Sequence, residues 1–334
     1  MAELLSDLRY ASPQSVQDFS GLNPYFASRA DPWIARIEGL YTYCYADGKA
    51  SIYIAQAERL DEFPDAKPLR VWKAPAGSAY AAETWAPEVH QLDGRCYIYF
   101  AASNGRNANH RMYVLESAGP DARGPYQLRG AIKSASDRWA IDGTVLDISP
   151  DERYFLWSGW AGQRNVQQNI YIARMDSPWS LAPEPKGKDR VLLSAPTEPW
   201  ERHGGPPYVN EAPQILRHGP HLHLIYSASG SWTDHYCLGQ LTYRGGAILD
   251  PVSWSKTGPV FASHEGIYAP GHACFVREEE TGLDWMIYHV AKHRGAGWKR
   301  NVHRQVFTWN AHGQAVFGKP LPLQSSMTRW SDIG

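Results

Sequence analysis

The chain has 334 residues, and its 33 Lys and Arg against 34 Asp and Glu leave a net charge of −1. This balance argues against a nucleic acid or an acidic membrane surface as partner, because both favour a basic protein face. The length suits one large domain or two ordinary ones, and no apolar run reaches the roughly 18 residues that a membrane-spanning helix needs.

Two features bear on the cellular compartment. The first ten residues, MAELLSDLRY, lack the basic and then apolar regions of a secretory signal peptide. The sequence as given therefore predicts a cytoplasmic protein, and the alternative is a secreted protein whose signal peptide is not part of this sequence. The four cysteines lie far apart, each inside or beside an apolar run, which predicts buried free thiols rather than disulfides or zinc ligands: Cys44, Cys96, Cys237 and Cys274.

Five similar segments follow one another along the chain. Each contains an aromatic and β-branched run, and these are LYTYCYA, CYIYFAAS, YFLWSGW, LHLIYSAS and WMIYHVA, beginning at residues 40, 96, 154, 222 and 285. One shorter strand-like stretch precedes each run and two follow it, with Gly, Asp, Asn or Pro between them. Ile170 and Ile172 alternate with Tyr171 and Ala173, the period of a β-strand. Each segment therefore predicts four antiparallel strands.

Radial repetition of four-stranded units is typical of a β-propeller. We predict an all-β fold, a five-bladed β-propeller with four-stranded antiparallel blades around a central axis, forming a single domain over residues 1–334. We expect no strand to be exchanged between the first and last blades. A two-sheet sandwich is the alternative, but it leaves the five-fold period unexplained. The predicted blades span roughly 31–80, 85–135, 140–200, 208–262 and 268–320.

An ionisable residue recurs near the start of the first strand in every segment. Because the first strand of a blade lines the axis, these residues are expected at corresponding positions around one axial pocket. Crowded, buried carboxylates raise one another's pKa values, and a fold keeps such a cluster mainly where function uses it. Each residue alone suits an ordinary turn, whereas the set favours a catalytic site: Asp31, Glu88, Asp142, Glu211 and His272.

Paired carboxyl groups suggest glycoside hydrolysis. One must be protonated to release the leaving group, and in the inverting reaction an ionised partner activates water on the opposite sugar face. Asp31 and Glu211 are expected to face each other across the axis, and the charge of Asp142 would keep Glu211 protonated. The 14 tryptophans also suit sugar stacking, although most are expected in the core.

At these positions the chain resembles glycoside hydrolase family 43. The matching stretches are NPYFASRADPWI (23–34), TWAPEVH (84–90), AIDGTVL (140–146), NEAPQIL (210–216) and APGHACF (269–275). The resemblance implies an inverting mechanism with Asp31 as general base, Glu211 as general acid, and Asp142 orienting Glu211 and raising its pKa. One departure is visible, since family members often have Gly at the position of Ala212.

The segments WSGW, NIYIARMDSPW and HRQVFTWNAHG most resemble the exo-acting α-1,5-L-arabinofuranosidase group of that family. The predicted activity is release of terminal L-arabinofuranose from α-1,5-linked arabino-oligosaccharides or arabinan. Alternatives are a β-xylosidase or endo-arabinanase of the same fold. A non-catalytic carbohydrate-binding propeller is an alternative from another class.

Further residues are predicted around the sugar. Trp85 is expected either to stack on it or to pack in the core, and Trp33 to form either pocket floor or blade packing. Glu88 is expected either to organise neighbouring donors or to contact hydroxyls. Arg304 is expected to bond Asp31 or a hydroxyl, with a solvated arginine as the alternative. Three residues are expected at the pocket rim: Trp160, Asn165 and Tyr268.

The chemistry is predicted to need no cofactor. The family resemblance implies a metal ion or water cluster near His272, because family members have a histidine at this position on the axis. A structural Ca²⁺ or Na⁺ on the propeller axis is one expectation, and a hydrogen-bonded histidine without a metal is the other.

Overall fold

The structure, a computed structural model, describes residues 23–183 and 190–321. Within these ranges the regular structure is β-strand apart from short 3-10 helices, so the predicted all-β class is confirmed. No helix in the described ranges is long and apolar enough to cross a membrane. The 3-10 helices are Leu60–Asp65, Asn107–Asn109, Pro199–Glu201 and Pro251–Ser253.

The strands pair into five consecutive antiparallel runs, numbered here as runs 1 to 5. Run 1 contains β1 (Trp33–Ile37), β2 (Leu40–Ala46), β3 (Ser51–Ala57) and β4 (Leu69–Lys73). Run 2 contains β5 (Ala82–Leu92), β6 (Arg95–Ser103), β7 (Arg111–Ser117) and β8 (Tyr126–Ile132). Run 3 contains β9 (Ala140–Ser149), β10 (Glu152–Trp160), β11 (Gln167–Ser177), β12 (Ser180–Leu181) and β13 (Val191–Ser194). Run 4 contains β14 (Tyr208–His218), β15 (His221–Ala228), β16 (Cys237–Tyr243) and β17 (Trp254–Phe261). Run 5 contains β18 (Tyr268–Arg277), β19 (Asp284–Ala291), β20 (Arg300–Trp309) and β21 (Ala315–Val316).

The runs are not all separate sheets. Runs 1, 2 and 5 are independent four-stranded sheets, whereas runs 3 and 4 share one nine-stranded sheet. The two are joined because β11 and β14 pair in parallel over two residue pairs, Gln167 with Tyr208 and Gln168 with Val209. Run 3 also has five strands, since β12 and β13 divide the outer edge of β11 between them. Among the described residues, each run is built from consecutive strands, but Phe26 forms a single bridge to Val302 of run 5.

Apolar side chains join each run to the next. The period of two places Tyr171 and Ala173 in the core shared with run 2, and Ile170 and Ile172 in the core shared with run 4. Further cores lie between runs 1 and 2 and between runs 4 and 5. Run 5 also packs against run 1, so the contacts between runs form a closed cycle. The cysteines are buried free thiols in these cores, as predicted.

The first strand of each run bends near its beginning. At this bend one residue of each run has a positive φ between +41° and +53°: Asp31, Ala86, Asp142, Ala212 and His272. In runs 2 and 5 a second residue, three positions earlier, also has a positive φ: Glu83 and Ala269. In runs 2 to 5 the pairing register slips at the same point, which is a β-bulge. A bulge redirects the neighbouring side chains, and in runs 2 to 5 it does so near the beginning of the first strand.

The bends show which residues of the five first strands are equivalent, and the result corrects the predicted alignment. Asp31, Asp142 and His272 occupy equivalent positions, as expected. Glu211 comes one residue before the bend of its run, and Glu88 comes two residues after. The equivalent of Glu211 in run 2 is Trp85, and that of Glu88 in run 4 is Gln214. The Ala-Pro pair shared by TWAPEVH and NEAPQIL carries this alignment in the sequence.

The bend leaves little room beside Asp142. A Cβ added to the next residue, Gly143, would lie 2.2 Å from the Phe155 ring and 2.8 Å from the Met112 side chain. We expect Gly143→Ala to lower the free energy of unfolding by about 1–3 kcal/mol through overpacking. Gly162→Ala is the matched control, because its Cβ would meet no atom within 4 Å. Urea denaturation of the two variants tests this, and equal stabilities would contradict it.

Candidate active site

Asp31 lies directly before β1, and three side chains of run 5 contact its Oδ1. The distances are 3.2 Å to His272 Nδ1, 3.1 Å to His289 Nδ1 and 3.6 Å to Arg300 Nη1. Burial alone would raise the pKa of Asp31, but the contacts with His272 and His289 and the charge of Arg300 outweigh it and hold the pKa below its ordinary value. The carboxylate is therefore ionised at neutral pH, and it is 29% exposed.

The two imidazoles beside Asp31 are neutral. Burial lowers the pKa of His272, and it lowers the pKa of His289 to about 3. His289 Nε2 is buried and has no hydrogen-bond partner among the described residues. His289 Nδ1 meets two groups of Asp31: it lies 3.1 Å from the carboxylate Oδ1, and it accepts a hydrogen bond of 3.3 Å from the backbone N–H. His289 thus holds both the backbone and the side chain of Asp31.

This cluster does not fit a hard cation. Asp31, His272 and His289 bring one donor atom each within 4.8 Å of one another. Two of these three donor atoms are imidazole nitrogens, whereas Ca²⁺ prefers a larger set of oxygen ligands. The cation predicted near His272 is therefore not supported by these three residues.

Glu211 lies in β14 and is buried, with 8% exposure. Its Oε1 accepts a hydrogen bond of 2.9 Å from the Tyr236 hydroxyl. Burial raises the pKa of Glu211 to about 7, against the opposing effects of Tyr236 and Arg300. Close to neutral pH this carboxyl group therefore holds a proton that it can release.

Asp142 connects run 3 to the bend of run 4. Its Oδ2 accepts a hydrogen bond of 3.1 Å from the backbone N–H of Ala212. Burial and the nearby charges of Glu211 and Asp31 raise the pKa of Asp142. Ala212 has a φ of +50°, in the region where glycine is unstrained. The hydrogen bond that Asp142 accepts from Ala212 therefore holds the backbone directly after Glu211 in its left-handed conformation.

Tyr236 links the surroundings of Glu211 to those of Asp31. Its ring stacks on His289 with centroids 5.5 Å apart and an interplanar angle of 17°. The neighbouring Gly271 is required for this packing, since a Cβ there would lie 2.2 Å from the Tyr236 ring. A continuous chain of contacts thus runs from Glu211 through Tyr236 and His289 to Asp31.

Glu88 and Trp33 lie between neighbouring runs. Glu88 is 3% exposed; its Oε2 pairs with His90 Nε2 at 2.9 Å, and its Oε1 accepts a hydrogen bond from Gln214. Glu88 thus organises neighbouring donors. Trp33 donates from Nε1 to the Val89 carbonyl at 2.9 Å and packs against the cores on both sides of run 1.

The residues predicted around the sugar differ in exposure. Trp85 is half-buried and stacks on His110, with ring centroids 3.9 Å apart. Asn165 is exposed between β10 and β11, and Tyr268 is half-buried at the start of β18. Trp160 is 4% exposed and stacks on Trp139, so it belongs to the core of runs 2 and 3 and not to a rim.

Arg304 does not make the predicted contact with Asp31. Its guanidinium lies 4.3 Å from the Tyr25 ring centroid and 4.8 Å from that of Trp285. Arg300 contacts Asp31 instead. The two arginines point to the same face of β20, but four residues of extended strand put them about 13 Å apart.

Three residues of the site were absent from the sequence prediction: His289, Arg300 and Tyr236. His289 interrupts the apolar run WMIYHVA, and a polar residue inside such a strand is an informative signal. Arg300 opens β20, and Tyr236 directly precedes β16. The approach of these two to the acidic residues depends on loop paths that strand periodicity does not predict.

Comparison with known proteins identifies the family and several relatives of this chain. The model of the glycosyl hydrolases family 43 matches residues 22–315. An extracellular exo-α-(1→5)-L-arabinofuranosidase of Streptomyces avermitilis is 32% identical over 324 residues, covering 92% of this chain and 65% of that protein. One of the same name from Streptomyces chartreusis is 32% identical, covering 81% and 83%. This chain belongs to glycoside hydrolase family 43.

A solved structure is similar over nearly the same length. The crystal structure of an α-L-arabinofuranosidase from Lactobacillus brevis is 33% identical, with a TM-score of 0.82, and the match covers 91% of this chain and 98% of that one. The chain spans slightly less than two thirds of the Streptomyces avermitilis relative but nearly all of this structure.

The raised pKa of Glu211 has a consequence for stability. The folded protein binds this proton more tightly than the unfolded chain, so the stabilising contribution of the group is complete below pH 4.5 and is lost as pH rises to about 7. Glu211→Gln lacks this proton. We expect the free energy of unfolding of the native protein to fall relative to Glu211→Gln across this window and to stay level above it.

Urea denaturation at a series of pH values measures this difference. Glu58→Gln, at an exposed position, serves as the control and should follow the native protein throughout. A native-minus-Glu211→Gln difference that is constant from pH 4.5 to 7 would contradict the raised pKa.

Proposed function

We propose that this protein is an inverting glycoside hydrolase that releases terminal L-arabinofuranose from α-1,5-linked arabino-oligosaccharides or arabinan. The observation that carries the mechanism is the opposite behaviour of two carboxyl groups in one contact network. The pKa of Asp31 lies below its ordinary value, whereas that of Glu211 is raised to about 7. The substrate class follows the names of the Streptomyces and Lactobacillus brevis relatives.

For the fold, we propose a single domain over residues 1–334 that forms a five-bladed β-propeller. In this interpretation each run is one blade, and the nine-stranded sheet is two blades joined by the short parallel pairing of β11 and β14. The closed cycle of cores, in which run 5 packs against run 1, supports five blades. A sandwich of two sheets has no such cycle.

Asp31 acts as the general base. It is ionised and partly exposed, so a water molecule can reach its carboxylate. The ring nitrogens of His272 and His289 and the charge of Arg300 fix its orientation. As Asp31 takes a proton from water, the oxygen attacks the anomeric carbon on the face opposite to the leaving group, which inverts the configuration.

Glu211 acts as the general acid and gives its proton to the departing oxygen. A carboxyl group that is protonated near neutral pH suits this role. Asp142 positions Glu211 through the hydrogen bond that it accepts from the backbone N–H of Ala212, the residue directly after the acid. Two carboxyl groups suffice for this reaction, so it needs no cofactor.

Around the sugar we assign supporting roles. The half-buried indole of Trp85, at the position equivalent to Glu211, is assigned to stacking on the terminal sugar. Arg300 binds a sugar hydroxyl as well as Asp31, since its planar fork suits two partners. Asn165 and Tyr268 are assigned to the rim.

For the site of action, we infer an extracellular location. Both Streptomyces relatives are named as extracellular enzymes, and arabinan is a polymer outside the cell that uses it. This inference departs from the cytoplasmic location expected from the N-terminal residues. Fractionation of the producing cells distinguishes the two locations.

The assigned roles predict different responses to the leaving group. Asp31→Asn and Glu211→Gln should each lower kcat on arabinobiose by about 10²–10⁴-fold. On 4-nitrophenyl α-L-arabinofuranoside, whose leaving group needs little protonation, Glu211→Gln should lose much less and Asp31→Asn as much as before. Glu58→Gln should retain the native rate. Native rates in either active-site variant would eliminate the assignment, and proton NMR of the early product should show an inverted anomer.

Substrate choice separates this proposal from the alternatives. We expect hydrolysis of the 4-nitrophenyl arabinofuranoside to exceed that of the xylopyranoside, because the relatives share the former activity in name. Linear arabinan should yield monomer alone as early product. A preference for the xyloside would identify a β-xylosidase, early oligosaccharides would identify an endo-arabinanase, and binding without release of reducing sugar would identify a lectin.

A further inference from the structure

Trp298 is unusual among the described residues because its large aromatic side chain is 69% exposed. It lies in the loop between β19 and β20, two residues before Arg300. The other large apolar side chains exposed in the described ranges are aliphatic: Leu69, Ile148, Val166, Leu192 and Val252. An indole pairs a broad apolar face with a polar N–H, and this combination suits binding surfaces.

Trp232 stands beside Trp298, on the loop between β15 and β16. The ring centroids are 6.1 Å apart, and the ring planes meet at 67°. The two side chains therefore form a corner, called here the indole corner, with two aromatic faces at a steep angle. A ligand with a flat ring can lay its C–H groups against one indole face while the edge of the ring contacts the other indole.

Hydrogen bonds hold the two loops together. Trp298 Nε1 donates to Ser231 Oγ at 3.3 Å, and the backbone N–H of Gly295 donates to Asp234 Oδ1 at 2.8 Å. Gly230 gives Trp232 its space, since a Cβ there would lie 2.7 Å from the indole. The corner is therefore formed before any ligand arrives, which lowers the entropic cost of binding.

The indole corner opens beside the acid of the active site. Ser231 lies between the two sites: its side chain interacts with Glu211, and its carbonyl accepts a hydrogen bond of 2.8 Å from Arg300 Nη2. The general acid protonates the oxygen of the leaving group. The leaving sugar must therefore lie on the Glu211 side of the terminal sugar, where Trp298 and Trp232 are.

We propose that the indole corner binds the second sugar of an arabino-oligosaccharide, which is the sugar that departs as the leaving group. This inference rests on the proposed function. A furanose presents C–H groups on its ring faces, and these pack against the indoles while its hydroxyls remain in water. The corner thereby favours oligosaccharide over a lone arabinoside.

Steady-state kinetics of Trp298→Ala on arabinotriose test the proposal. We expect KM to rise roughly tenfold, as for the loss of one good apolar contact, with kcat within about twofold of the native value. Inhibition by free L-arabinose, which samples the terminal-sugar pocket, should be unchanged. Trp298→Phe keeps an aromatic face and should restore most of the affinity. Val252→Ala removes an exposed apolar side chain from the edge of run 4 and should behave as the native protein.

The outcomes are separable. If the native protein hydrolyses arabinotriose and Trp298→Ala has the same KM for it, the proposed role of the indole corner is wrong. The proposed function would be unaffected by that result. Equal losses of arabinotriose and L-arabinose binding would also overturn the proposed role of the indole corner, because the terminal pocket itself would then be displaced. A native protein that does not hydrolyse arabinotriose would overturn the proposed function, and with it the corner as a leaving-sugar site.

Discussion

The site depends on a bend in the backbone of each first strand. Each bend contains a residue in a left-handed conformation, and for residues other than glycine such a conformation costs of order 1–3 kcal/mol. Surrounding contacts must hold each bend in place. The hydrogen bond from the Ala212 N–H to Asp142 is one such contact, because it ties the bend of run 4 to the bent residue of run 3. Asp31, Asp142 and His272 therefore combine a strained backbone with a polar side chain of the site.

This arrangement shifts the pKa values of two similar side chains in opposite directions. Asp31 and Glu211 are both carboxyl groups in a crowded interior. Asp31 lies beside two imidazole rings and a guanidinium, which favour its ionised form. Glu211 interacts with Tyr236, Ser231 and the charge of Arg300, but burial outweighs them and favours the protonated form. The stacked rings of Tyr236 and His289 connect the two environments.

The sequence predicted the strands well because burial on alternate sides leaves a strong period of two. It placed Asp31, Asp142 and His272 at equivalent positions, since each stands at a bend. Its alignment failed by one residue at Glu211 and by two at Glu88, because counting from the next strand cannot locate a bulge. Arg304 was chosen over Arg300 for a related reason: alternation identifies the face of a strand but not the distance along it. Trp160 shows a third limit, since composition does not tell a stacked core indole from an exposed one.

The repeated bend also shows that the shape of the backbone does not depend on which side chain stands at the bend. Of the five bent residues, Asp31, Asp142 and His272 carry polar side chains, while Ala86 and Ala212 carry a methyl group. The alanines show that the curve survives without any functional group at that point. Ala86 and Ala212 are themselves buried, with 6% and 2% exposure, so a larger side chain at either position would have to displace its neighbours. Chemical variation at these two bends is therefore limited by packing and not by the shape of the backbone.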